Sequence, residues 1–118
     1  MQVSQIAENL FVCGQITEAH LALLADEGFT HVICHRPDAE HPEDAPSASM
    51  GREAGRLGMA FHYNPIVPGE PFANQAQQLA AITAKPDAKV LAYCRSGARA
   101  ANAWALAQSF AAGAHQSA

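Results

Sequence analysis

The stretch Ala88-Lys89-Val90-Leu91-Ala92-Tyr93-Cys94-Arg95-Ser96-Gly97-Ala98-Arg99 constrains this chain more than any other. Val90 to Tyr93 is a short apolar run of the kind that forms a buried strand. It ends on Cys94, passes through small residues, and enters an alanine-rich segment that reads as a helix starting near Ala98. A cysteine between a strand and a helix N-terminus faces the N–H groups of its own loop and the positive end of the helix dipole. Arg95 and Arg99 add formal positive charge. All three influences favour thiolate over thiol at Cys94, and the thiolate is the nucleophile. Gly97 lets the backbone close around a bound anion where a side chain would obstruct the approach. Arginines in a first helical turn oppose its dipole, so a merely structural cysteine leaves them unexplained.

The flanking chain sets the fold class. Val3–Ile6 and Leu10–Cys13 are strand candidates that make a hairpin. Thr17 is placed to cap a helix carrying Leu21, Leu24 and Ala25, which Gly28 stops. Residues 30–34 form a strand rich in β-branched side chains, and residues 36–46 a Pro- and acid-rich exposed loop. Ser47 is placed to cap a second helix, with Met50, Ala54 and Leu57 on one face. A strand over residues 60–64, a loop over 65–71 and a helix marked by Phe72, Ala76, Leu79 and Ala80 follow. In the last helix, Trp104, Leu106 and Phe110 are expected in the core. Strands alternating with helices predict an α/β fold, a mainly parallel central sheet with helices on both faces. Loops 35–46, 65–71 and 94–98 leave the carboxyl ends of the strands and should converge on one pocket.

One hundred and eighteen residues suit a single domain over 1–118, with the tail from about Gly113 expected to fray. A net charge of −4 without a basic tract excludes nucleic acid as a partner. No run approaches the roughly 20 apolar residues of a membrane span, so no membrane partner is expected. The chain does not open on a basic-then-apolar signal. Three irregularly spaced cysteines make no disulfide framework and suit a reducing, cytoplasmic setting. Six histidines form no close ligand pair beyond His31/His35, so no metal or other cofactor is expected. Oligomeric state is not legible here.

Cys94-Arg95-Ser96-Gly97-Ala98-Arg99-Ala100 is a Cys-x4-Arg loop that resembles the active-site loop of rhodaneses. Protein tyrosine phosphatases use Cys-x5-Arg, and Ala100 stands where their arginine would fall. The rest resembles another family. Residues 8–15, 28–33, Arg36-Pro37-Asp38 and Tyr63-Asn64-Pro65-Ile66-Val67-Pro68 are similar to the phosphatase-like domain of beta-lactamase-hydrolase-like proteins, sometimes described as sulfur transferases. The resemblance implies a dual-specificity/tyrosine-phosphatase-like fold. Carried over by motif, Cys94 is the nucleophile, the N–H groups of Arg95, Ser96, Gly97, Ala98 and Arg99 make the anion cradle, and Arg99 clamps the oxyanion. Tyr93 replaces the histidine usual before the phosphatase cysteine. Where such phosphatases hold an aspartic general acid, the loop offers Glu70, with Asp38 the nearest alternative.

Three functions compete. The leading one is a rhodanese-like sulfurtransferase, with a persulfide on Cys94 passed to a thiol acceptor. A single sulfur atom needs a smaller cradle than a phosphoryl group with its three equatorial oxygens, and sulfite departs without an acid. The alternative is phosphoester hydrolysis through a phosphocysteine. The third is a non-catalytic anion-binding or thiol redox-sensing module. The substrate is correspondingly a small anion, a persulfide or a phosphoester. Arg95 points either to solvent or to that substrate, and Arg36 either faces the same pocket or pairs with Asp38 or Glu40. Ser96 either donates to the sulfur or merely suits a tight loop. Cys34 reads as a core residue, and Cys13 as a candidate resolving thiol.

Overall fold

The most apolar strand candidates take the middle of a five-stranded sheet, because a parallel strand covered on both faces must be hydrophobic along its whole length. The computed structural model describes residues 1–44 and 46–117, with side chains up to Phe110. The strands are β1 (Ser4–Ala7), β2 (Leu10–Cys13), β3 (His31–Cys34), β4 (Ala60–Tyr63) and β5 (Val90–Tyr93), in the order β1-β2-β5-β3-β4. β1 and β2 make the expected antiparallel hairpin; every other pairing is parallel. β5 is central and buried along its length.

Strand alternation divides the core in two. Leu91 and Tyr93 of β5, with Val32 and Cys34 of β3, face Leu21 and Leu24 of α1 (Glu18–Asp26) and Met50 and Ala54 of α2 (Ser47–Arg56). Val90, Ala92 and Ile33 face the other way, onto Leu79 and Ile82 of α3 (Ala73–Thr83) and Ala100 and Ala103 of α4 (Ala98–Ser117). Each fully buried leucine or isoleucine here contributes about 1.5–3 kcal/mol.

Two expectations need correction. α4 lays its alanines on the sheet: Ala100, Ala103 and Ala107 are buried, while Trp104 and Leu106 are half-buried and Phe110 is exposed. Small residues let the helix approach β5 closely, and the bulky ones flank the seam. Ser47 is the first residue of α2 and does not cap it. The cap is Asp38, whose carboxylate accepts from the Ser47 N–H at 2.8 Å and from its hydroxyl at 2.7 Å. An ionised acceptor satisfies a helix N-terminus better than a hydroxyl does. Asp38→Ala is therefore expected to cost about 1–2 kcal/mol, read as a fall in the urea midpoint at unchanged slope.

The α4 backbone continues through Gly113 to Ser117, past the point where the sequence suggests fraying. No helix among the described residues is long and apolar enough to cross a membrane.

Candidate active site

The loop after β5 is held at its entry by both neighbouring strands. Cys94 donates its N–H to the Cys13 carbonyl at 3.3 Å, and His35 donates its own to the Tyr93 carbonyl at 2.8 Å. Beyond Cys94, the Arg95 carbonyl accepts from the Gln15 N–H at 3.3 Å. That contact demands glycine at position 14, where a Cβ would sit 2.8 Å from the same carbonyl oxygen. Gly97 has φ 94°, a left-handed turn that aims its N–H back at the cysteine. The N–H meets Sγ at 3.0 Å. Wrapped this way, Cys94 has no exposed surface.

Ser96 points outward and its hydroxyl accepts from the Ala98 N–H at 3.4 Å, so it serves the start of α4 and not the sulfur. Ala98 and Arg95 are exposed. Arg95 lines a cleft of about 640 Å³ with Arg99, Glu40, Val67 and Pro68. Glu70 sits on the turn at residues 67–70, sharing a second cavity of about 390 Å³ with Arg99, Phe72 and Asn102. Residues of the three loops thus meet around Arg95 and Arg99. Asp38 does not join them as an acid: both its oxygens are used in capping α2.

Arg99 lies in the first turn of α4. Its Nη1 donates to Glu40 Oε2 at 2.8 Å and to the Ile66 carbonyl at 2.9 Å, and its Nη2 to Glu40 Oε1 at 2.5 Å. Arg36, only 4% exposed, donates from Nε to Glu40 Oε1 at 3.3 Å and from Nη1 to Gln15 and to Asp44. Glu40 therefore joins two arginines, and Arg36 pairs with Glu40 and Asp44 where the sequence offered Asp38 or Glu40. The Arg99 hydrogen bonds hold the Glu40 carboxyl below the usual range, and Glu40 in turn raises Arg99.

Cys13 and Cys34 face the other side of the sheet, in the α1/α2 core. Burial, then the neighbouring Cys94, pushes the Cys13 thiol up to about 12. Burial also raises Cys34, which donates to the Arg36 carbonyl at 3.3 Å. All three cysteines are free thiols. As the partner of Tyr93 in register, Cys13 points away from the Cys94 side chain, which gives a resolving role no geometric support.

Two residues carry no catalytic part in the sequence reading. Glu40 enters it only as a salt-bridge alternative for Arg36, and His35 only as half of a weak histidine pair. His35 follows β3, and its signal is register: it comes one residue past the Cys34–Tyr93 pair, as Cys94 does beyond β5. It is fully buried, its Nδ1 is 2.8 Å from the Asn64 carbonyl, and its Nε2 has no partner among the described residues.

A profile of the family "Beta-lactamase hydrolase-like protein, phosphatase-like domain" matches residues 2–111. The chain belongs to this family. A beta-lactamase hydrolase-like protein of Xylella fastidiosa is 28% identical over 108 residues, 92% of this chain and 25% of that protein. The family member described here thus spans about a quarter of the length of the curated relatives it matches. A candidate phosphatase from Neisseria meningitidis superposes with a TM-score of 0.76 at 27% identity, over 85% of this chain and 71% of the other. A kinase-associated phosphatase with its catalytic cysteine replaced by serine superposes at 0.62 and 15% identity, over 75% and 57% of the two chains, and shares the fold alone. The fold of this family member is tyrosine-phosphatase-like, as expected. The neighbours favour the phosphatase alternative over sulfur transfer, which rests on loop length and on sulfite needing no general acid.

Proposed function

We propose that this domain hydrolyses phosphomonoesters through a phosphocysteine on Cys94. One observation carries the reading: in a chain of the phosphatase-like family, a strand delivers a cysteine into a loop whose Gly97 N–H meets its sulfur at 3.0 Å, with Arg99 heading the next helix. Loop N–H groups and a guanidinium are the donors that a transferring phosphoryl group needs, and positioned donors supply most of the catalysis in this chemistry.

The Cys94 thiolate attacks phosphorus, the S–P bond forms as the ester O–P bond breaks, and the leaving oxygen takes a proton from Glu70. A water that gives a proton back to the Glu70 carboxylate then cleaves the S–P bond, releasing inorganic phosphate and the thiolate. Cys94 has no exposed surface, so a substrate reaches it only after the groups that cover it move aside. The Glu40 pair keeps the Arg99 guanidinium charged and oriented beside the cleft.

The test uses an activated aryl phosphate. Release of the phenol, inhibition by vanadate and an acid-trapped phosphoryl adduct on Cys94 are expected. A sulfur adduct on Cys94 after thiosulfate treatment, with no hydrolysis of any phosphoester, overturns the reading in favour of sulfur transfer.

A further inference from the structure

We propose that His35 is the proton acceptor of the Cys94 thiol, reached through one water or by a rotation of either side chain, and forms with it a buried cysteine–histidine pair. This rests on Cys94 being the nucleophile, whichever group it transfers. Three observations put the two residues at neighbouring positions on one side of the sheet. In register, Cys34 pairs with Tyr93, and both face the α1/α2 core. Side chains alternate along strands, so the next residue on each, His35 and Cys94, faces the opposite side. The His35 N–H to the Tyr93 carbonyl, at 2.8 Å, carries the ladder to that point.

The state of the imidazole is set by its partners. Nδ1 faces a carbonyl, which only accepts, so Nδ1 carries the ring proton. Nε2 is then a bare lone pair, and among the described residues nothing donates to it. An unpaired acceptor in a fully buried ring is costly unless it has work to do. The nearby thiol is the complementary group. Its sulfur already accepts from the Gly97 N–H, which leaves its own proton to be given up. Burial, then the Arg99 charge, holds the imidazole neutral, which a proton acceptor must be at rest. The charged group that bears on it is Arg99 from α4, which is paired with Glu40. In the transfer, the S–H bond breaks, sulfur keeps the electron pair, and Nε2 gains the proton. The product is a thiolate–imidazolium pair with no net change of charge.

His35→Asn tests this, because its side-chain amide still donates to the Asn64 carbonyl while removing the Nε2 acceptor. Site-resolved alkylation of Cys94 by iodoacetamide is followed against pH. At neutral pH the variant should react at least about tenfold more slowly than the parent. The gap should close at alkaline pH, where hydroxide takes the proton instead. Superimposable rate profiles in two folded proteins overturn the proposal. Because the readout is the thiol itself, failure of the phosphatase reading leaves this result standing. If the variant does not fold, the parent protein decides. The ¹⁵N shift of His35 Nε2 should lie closer to the protonated value in the free protein than after carbamidomethylation of Cys94. Identical shifts in both between about pH 6 and pH 9 refute the pair.

Discussion

Replacing Cys94 by serine is expected to cut aryl phosphate turnover by on the order of 10⁵- to 10⁶-fold, the scale seen when an enzyme loses its nucleophile. The substitution exchanges one atom. Serine keeps an acceptor for the Gly97 N–H, now 3.0 Å from Sγ, and the Cys13 carbonyl bond belongs to the backbone. Stability should therefore change little, and loss of activity cannot be put down to a collapsed loop. A hydroxyl ionises far less readily than a thiol, and no dipole or guanidinium here closes that gap. Anion binding should survive, since loop amides and Arg99 remain. The check is steady-state turnover beside vanadate binding by calorimetry. A variant that retains a hundredth of parental activity would show that the nucleophile lies elsewhere.

What could be read in the sequence was what periodicity and punctuation encode. β5 is an unbroken apolar run and proved central, and the Thr17 and Gly28 boundaries bracket α1. The cysteine loop followed from the change of period at Cys94. The harder parts depend on residues far apart in the chain. That α2 is capped by Asp38, nine residues before Ser47, follows from the path of the intervening loop, and a local rule picks the serine. That α4 seats alanines and exposes Phe110 follows from how near it lies to β5. Glu40 becomes special only because the loop after β3 folds back over the head of α4, and His35 only through the register of β3 against β5. In the sequence, the short loop and a leaving group that needs no acid pointed to sulfur, and both weigh less than a family match over residues 2–111.

Arg99 and Glu40 give the second large effect, and it has a pH signature. Arg99→Ala is expected to lower kcat/KM by about 10²–10³-fold, as when a charge-stabilising donor is removed. Arg99→Lys should rescue little. A single ammonium cannot reproduce the fork that reaches both Glu40 oxygens and the Ile66 carbonyl at once. Glu40→Gln is the gentler probe, removing the charge and keeping the shape. The folded Glu40 carboxyl sits below its unfolded value because Arg99 donates to it. The stability it contributes is therefore complete above the ordinary carboxylate range and is lost as pH falls through the lowered folded value. The parent should thus lose stability on acidification more steeply than Glu40→Gln, with the two curves parallel at neutral pH. Urea unfolding at a series of pH values measures this directly. Equal acid slopes would mean that the carboxylate does not hold the guanidinium in solution, and the oriented Arg99 on which phosphoryl transfer depends would lose its support.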